Sequence, residues 1–320
     1  MGIKHYYIYI CVFAFFYNNA LSQDLHLSTT NIFDKYNVNK SYAGLTDNVI
    51  AGITARQQWS GLSKSPKAYT AFVHSPSLFY NGGYGSGMEY VERGIYKIFS
   101  FGISGNYVLP INTGMLSFGI APYFDYISIN KDNILTPEGY FLDNIYYFDD
   151  DYLQNSLVNS NININFKVFG LYIYKNIEFG IEFDKHNIYR KENTISGNYF
   201  LKLNYQYSKS LNPSMGIKGF GLMYYNFNKI QNDFGLSVSI INKYVGAVIL
   251  RGIGKSSYES VSVVMGGNIN SNMKLVYAYE IPISPLSSVE SGTHEIQCIM
   301  NFGQSNSKTK LPPVIYNPRI

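Results

Sequence analysis

Asp184 and His186 stand two residues apart, which places both side chains on one face of an extended strand, and an acid beside a histidine can activate water. Nothing nearby supplies a nucleophile or oxyanion donors, so a hydrolase built on this pair ranks last among the readings that follow. Gly252-Ile253-Gly254-Lys255-Ser256 has the ending of a phosphate-binding loop, but position 249 is Ile where that loop needs glycine. The segment also joins two predicted strands instead of opening a helix. In Gly82-Gly83-Tyr84-Gly85-Ser86-Gly87 the serine lacks glycines two residues to either side, so it is no nucleophile elbow. Those glycines are expected to let an aromatic neighbour lie over a strand or to allow a bend. His5, His26, His74, His186 and His294 are scattered without metal-ligand spacing, and Asp149-Asp150-Asp151 lacks the alternating ligands and glycine of a calcium loop. The expectation is a protein that is not an enzyme and has no cofactor and no metal.

The elements that carry these residues have a period of two. In Asn161-Ile162-Asn163-Ile164-Asn165-Phe166 polar and apolar residues alternate, and Ile177, Phe179, Ile181 and Phe183 alternate with Glu178, Gly180, Glu182 and Asp184. Leu201, Leu203, Tyr205 and Tyr207 do the same against Lys202, Asn204 and Gln206, as do Phe234, Leu236, Val238 and Ile240 against Gly235, Ser237 and Ser239. Such strands separate two media, either a sandwich core from water or a bilayer from a wet lumen. Alternation and turn residues give about fourteen strands between residues 46 and 302, with a long connection from Lys131 to Asn159 and short junctions at Lys175-Asn176, Asn212-Pro213, Asn242-Lys243 and Asn270-Ser271. Further long connections are expected after the strand ending near 187 and the one ending near 281. Short and long connections fall mostly on opposite ends, as in a membrane barrel. Glu178, Glu182, Asp184, Lys202, Lys218 and Glu280 lie on the polar faces, where mixed signs would pair and fill a lumen.

Targeting and composition favour the bilayer. Lys4 and His5 precede an apolar run from Tyr6 to Tyr17, and Ala20-Leu21-Ser22 completes a secretory signal peptide over residues 1–22. The run is too short for a spanning helix, so a membrane protein of this sequence must be a barrel. Aromatic residues make up 17% of the chain and charged residues 14%, a mixture suited to lipid-facing strands with aromatic girdles. A net charge of +4 gives no concentrated basic stripe, which speaks against nucleic acid as a partner. Beyond the signal peptide the one cysteine is Cys298, so no intrachain disulfide is expected. The chain thus reads as all-β: residues 23–45 form a periplasmic or plug segment, 46–302 a transmembrane antiparallel barrel in outer-membrane lipid, and 303–320 a tail.

Tyr42-Ala43-Gly44, then Arg56-Gln57-Gln58-Trp59-Ser60-Gly61 and Pro66-Lys67, resemble the opening of the PorP/SprF family of type IX secretion system membrane proteins. Gly114-Met115-Leu116-Ser117-Phe118-Gly119-Ile120 is similar to its middle. Val276-Tyr277-Ala278-Tyr279-Glu280 and Ser291-Gly292-Thr293-His294-Glu295-Ile296 resemble its closing strand and hairpin. Asn37 to Lys40 departs from the family's Asn-Pro-Ala lead-in, and the acidic run at Asp149 has no counterpart. The resemblance implies a barrel in the outer membrane of a Bacteroidota-type bacterium. It would work with the secretion or gliding-motility machinery and its other components, serving a secreted surface protein or that protein's C-terminal sorting domain. The alternative is an outer-membrane porin for small solutes. Residues expected at a partner interface are Tyr42, Ala43, Gly44, Trp59, Gly61, Tyr146, Tyr147, Phe148, His294 and Glu295.

Overall fold

The computed structural model describes residues 28–304 except 95, 112–113, 130–134, 137–138, 141–160, 192–193, 227–228, 242, 253–258 and 284. The signal-peptide stretch and the loop residues Tyr146, Tyr147, Phe148 and Asp149 to Asp151 lie outside the described residues.

Fourteen antiparallel strands close into a barrel. They are β1 (Asn48–Gln57), β2 (Lys67–Pro76), β3 (Gly82–Arg93), β4 (Tyr96–Ile111) and β5 (Gly114–Ile129). A small hairpin, β6 (Leu135–Thr136) with β7 (Gly139–Tyr140), lies within the long connection and stands apart from the barrel. The wall continues with β8 (Asn161–Tyr174), β9 (Ile177–Lys191), β10 (Thr194–Asn212), β11 (Met215–Asn226) and β12 (Lys229–Ile240). It finishes with β13 (Tyr244–Arg251), β14 (Ser260–Asn268), β15 (Met273–Pro282) and β16 (Thr293–Gln304). Each strand pairs with its neighbour along the chain, β5 pairs with β8, and β16 pairs back on β1 with Ile53 opposite Cys298. Closure leaves no strand as a free edge, so along the length the strands share, backbone donors and acceptors pair within the sheet.

The alternation sorts side chains as the two media require. Ile177, Phe179, Ile181 and Phe183 point outward and are exposed, while Glu182 and Asp184 are buried. Ile162, Ile164, Phe166 and Val168 also face outward, with Asn165 inside. Among the described residues no helix is long and apolar enough to cross a membrane, and the crossing elements are the strands.

The barrel has a turn end, where β1 begins and β16 finishes, and a loop end carrying the connections 58–66, 130–160, 252–259 and 283–292. One expected long connection is absent. Strand β9 runs on to Lys191 and β10 starts at Thr194, which leaves a two-residue junction where residues 188–196 were expected to be loop. Lys185 to Lys191 is paired with β10 although its sequence shows no alternation of polar and apolar residues. Strand β10 has 19 residues against 8 for β13, so one side of the wall rises well past the roughly 9 to 11 residues that a bilayer requires.

Residues 28–45 lie inside the barrel as three short helical turns, Thr30–Phe33, Lys35–Val38 and Lys40–Tyr42. They meet β15 and β16 at the loop end and β4, β5 and β8 lower down, so the segment descends through the lumen.

Candidate functional site

The lumenal segment is held at the loop end by a buried ionic network. Glu295, on β16, is 1% exposed and accepts hydrogen bonds from the backbone N–H groups of Thr29 and Thr30, each at 2.9 Å. It also accepts from the Thr30 hydroxyl at 2.5 Å and from the Ser28 hydroxyl. Arg56 on β1 bridges Glu295 at 3.0 Å and Glu280 at 2.8 Å, and Arg251 on β13 bridges Glu280 at 3.0 Å and Asp233 at 3.2 Å. Both guanidinium groups donate to the Thr29 hydroxyl, at 3.0 and 2.6 Å. Two arginines thus face three carboxylates, and the first residues of the segment, together with the Ser260 hydroxyl at Glu280 and the Gly252 N–H at Asp233, supply further donors. Glu259, in the loop above, has its carboxyl pushed up to about 7 by burial.

The middle of the segment is fixed by shape and by amide contacts. The Tyr36 ring lies over Gly85, where any side chain would collide with it, and its hydroxyl meets that of Ser104 at 2.9 Å. This is the aromatic neighbour expected over the glycine-rich stretch. Asn39 is wholly buried and donates to the carbonyls of Gly170 and Ile181 at 3.1 and 3.2 Å. Gly44 has φ +71, and a Cβ there would stand 2.6 Å from the Gly82 carbonyl oxygen and from Gly83 Cα. Only glycine meets both the left-handed backbone and the close approach. Asn106 on β4 donates to the carbonyls of Ser41 and Ala43 at 3.2 and 3.0 Å. Burial raises Asp34 to about 7 and lowers Lys40 to about 8, and it raises the Tyr36 hydroxyl to about 12.

The expected interface residues fall into distinct places. Tyr42 and Ala43 are buried within the lumen, and the Tyr42 hydroxyl donates to Glu178. Trp59 and Gly61 lie in the loop after β1 and meet the loop before β16, where the Trp59 N–H donates to Thr293 Oγ1 at 3.1 Å. Across that contact the Ser60 N–H donates to the Gly292 carbonyl and the Ser291 N–H to the Ser60 carbonyl, and Gly61 abuts Ser291. His294 faces outward, with Nδ1 2.7 Å from the Tyr277 hydroxyl, and adjacent Glu295 faces inward. Segments 56–61 and 291–295 thus meet at the seam where the barrel closes. The carboxylate of Asp184 pairs with Lys167 at 3.0 Å and accepts from the Tyr123 hydroxyl, while the side chain of His186 lies outside the described residues. Among the described residues no group of three potential metal ligands converges.

Sequence reasoning missed the apolar patches inside the lumen. Val108, Met115, Leu171 and Ile173 cluster with Tyr42 and Leu45, and Ala247, Ile249, Val264, Val276 and Ala278 meet Ile32 and Phe33. Their signal is visible in the chain, since Val108-Leu109, Met115-Leu116 and Leu171-Tyr172-Ile173 break the alternation by being apolar on both faces.

A closed barrel of fourteen antiparallel strands, with an apolar outer belt and a polar, charged lumen, is an outer-membrane protein. The type IX secretion system membrane protein PorP/SprF model matches residues 22–299, and the chain belongs to that family. The chain is similar in fold to the Acinetobacter baumannii outer membrane protein Omp33, with 6% identity, a TM-score of 0.50, and 81% of this chain and 100% of that one covered. The NanC porin matches at 10% identity and a TM-score of 0.38 over 80% of this chain and 99% of its own. The KdgM porin matches at 10% identity and a TM-score of 0.36 over 79% and 99%. No curated protein sequence matches the chain. In the outer membrane the turn end faces the periplasm and the loop end the exterior.

Proposed function

We propose that the protein acts without catalysis, as a barrel that supports secretion or surface attachment of a partner protein by the type IX machinery. Family membership across residues 22–299 carries this reading. A closed scaffold is supported over a solute channel by the way residues 28–45 occupy the lumen through Glu295, Asn39, Tyr36 and Tyr42. In this reading residues 1–22 are removed on export, and residues 23–45 are the barrel's own plug. The exterior loops recognise the partner: Trp59 and Gly61 at the seam, beside His294, form one contact, and Tyr146, Tyr147 and Phe148 supply aromatic anchors in the long connection. Tyr42, Ala43, Gly44 and Glu295 serve it indirectly, by fixing the plug.

The test is deletion of the gene followed by surface proteomics and solute-uptake assays. Loss of one or a few large surface proteins, with uptake and membrane integrity unchanged, is the expected result. Normal display together with impaired uptake of a small solute would establish the porin reading instead.

A further inference from the structure

At the turn end, below the lumenal segment, lies a cavity of about 810 Å³ whose charged lining is one-sided. Lys35, Lys175, Lys209, Lys218, Lys243 and Lys274 line it, against the two carboxylates Asp34 and Glu178. Glu178 is already engaged, and Asp34 is largely sealed from the cavity by burial. Glu178 pairs with Lys35 at 2.8 Å and accepts from the Tyr42 hydroxyl and from Gln206 at 3.2 Å. Asp34 is 4% exposed and accepts the Asn37 N–H at 3.3 Å.

Lys218 is the most telling of the lysines. It is 6% exposed and lies three residues into β11, about 10 Å from the rim at strand rise. Among the described residues it makes no ion pair and no hydrogen bond, and the charged groups acting on it are Lys35, Glu178 and Lys274. A buried ammonium facing two cations and one committed carboxylate lacks a counter-charge. Lys274 Nζ stands over the Phe33 ring at 4.8 Å, while Lys175 and Lys243 sit in the turns at the mouth, each over the ring of a neighbouring tyrosine.

We propose that this vestibule binds an extended acidic segment of polypeptide entering from the periplasmic end. The cations run from the mouth to Lys218, so one small anion would meet only some of them, whereas carboxylates spaced along a chain would meet them in succession. The lining between the lysines mixes hydroxyls and amides, such as Ser237 and Asn272, with Ile32, Phe33, Ile173 and Met273. Apolar side chains alternating with acidic ones fit that surface, and a phosphate or sugar backbone does not use it. Residues 305–320, which follow β16 at this end, contain Lys308, Lys310 and Arg319 and no acid, so they do not supply the complement.

The experiment uses the full-length protein in detergent and a fluorescent peptide of alternating Glu and Leu, with a Lys-for-Glu peptide as control, read by anisotropy. Saturable binding of the acidic peptide alone is expected. It should weaken with added salt and fall about tenfold or more in Lys218→Gln, where a buried charge loses its partner. The double variant Lys175→Gln/Lys243→Gln tests the mouth independently, should the deep substitution disturb folding. Wild-type affinity in both variants, or equal binding of the basic peptide, would overturn the proposal. So would Lys218-dependent binding of inorganic phosphate or of phosphatidylglycerol nanodiscs without peptide binding. The binding assay does not bear on the secretion role, which is judged by surface display.

Discussion

Removing the Glu295 carboxylate should free the first turn of the lumenal segment while leaving the barrel closed. In Glu295→Ala the N–H groups of Thr29 and Thr30 and the Thr30 hydroxyl lose their acceptor, and Arg56 loses one of its two carboxylates. Breaking a buried pair costs about 3 to 5 kcal/mol when the other charge is stranded. Arg56 keeps Glu280 at 2.8 Å and the Thr29 hydroxyl at 3.0 Å, so the lower end, about 3 kcal/mol, applies here. At about 1.4 kcal/mol per tenfold, that is roughly a hundredfold increase in local opening. The rest of the segment keeps its hold through Tyr36, Asn39 and Tyr42, so opening should stop near Phe33. The assay places a reporter at Thr30, which is 0% exposed, as Thr30→Cys in a Cys298→Ser background, with and without Glu295→Ala, and follows maleimide labelling. Barrel integrity is monitored by heat-modifiable migration. Equal labelling rates in the two backgrounds would refute the reasoning, because Glu295 would then contribute nothing to holding the turn.

On the outer face, Phe179→Arg or Ile181→Arg should cost on the order of 2 to 4 kcal/mol on refolding into lipid, and Glu182→Gln much less; comparable losses would mean that the faces are reversed. Gly44→Val should lower yield and heat stability sharply, since φ +71 and the 2.6 Å approach of Gly82 and Gly83 both exclude a branched side chain. Asp34 is raised to about 7 from an ordinary value near 4, so its contribution to holding the segment is complete below about pH 4 and is lost as pH rises through about 7. Protease accessibility of residues 28–45 should therefore rise between about pH 5 and about pH 7.5, and Asp34→Asn should flatten that dependence. In planar bilayers the intact protein should pass little steady current, and deletion of residues 28–45 should raise conductance; an unchanged trace would place the constriction elsewhere.

The sequence by itself determined the strand-built wall and its two faces, because a strand between lipid and lumen must alternate residue by residue, as Ile177 to Asp184 does. Where that demand ends, local legibility ends too. Lys185 to Lys191 remains strand without alternation, so its hairpin emerged only from the pairing with β10. Tertiary structure alone decided that Arg56 and Glu295, 239 positions apart, share a buried salt bridge, since closing β16 onto β1 is what joins the two ends of the barrel. It also decided what the inward apolar residues do. Val108, Met115 and Leu171 break the polar face in three separate strands, and only the curvature of a closed barrel gathers them into one patch for Tyr42 and Leu45 to cover. The lysines around the lower cavity were scattered over six elements and turns of an otherwise unremarkable charge pattern; a lumen of this radius points them at one space, where their like charges call for an anion.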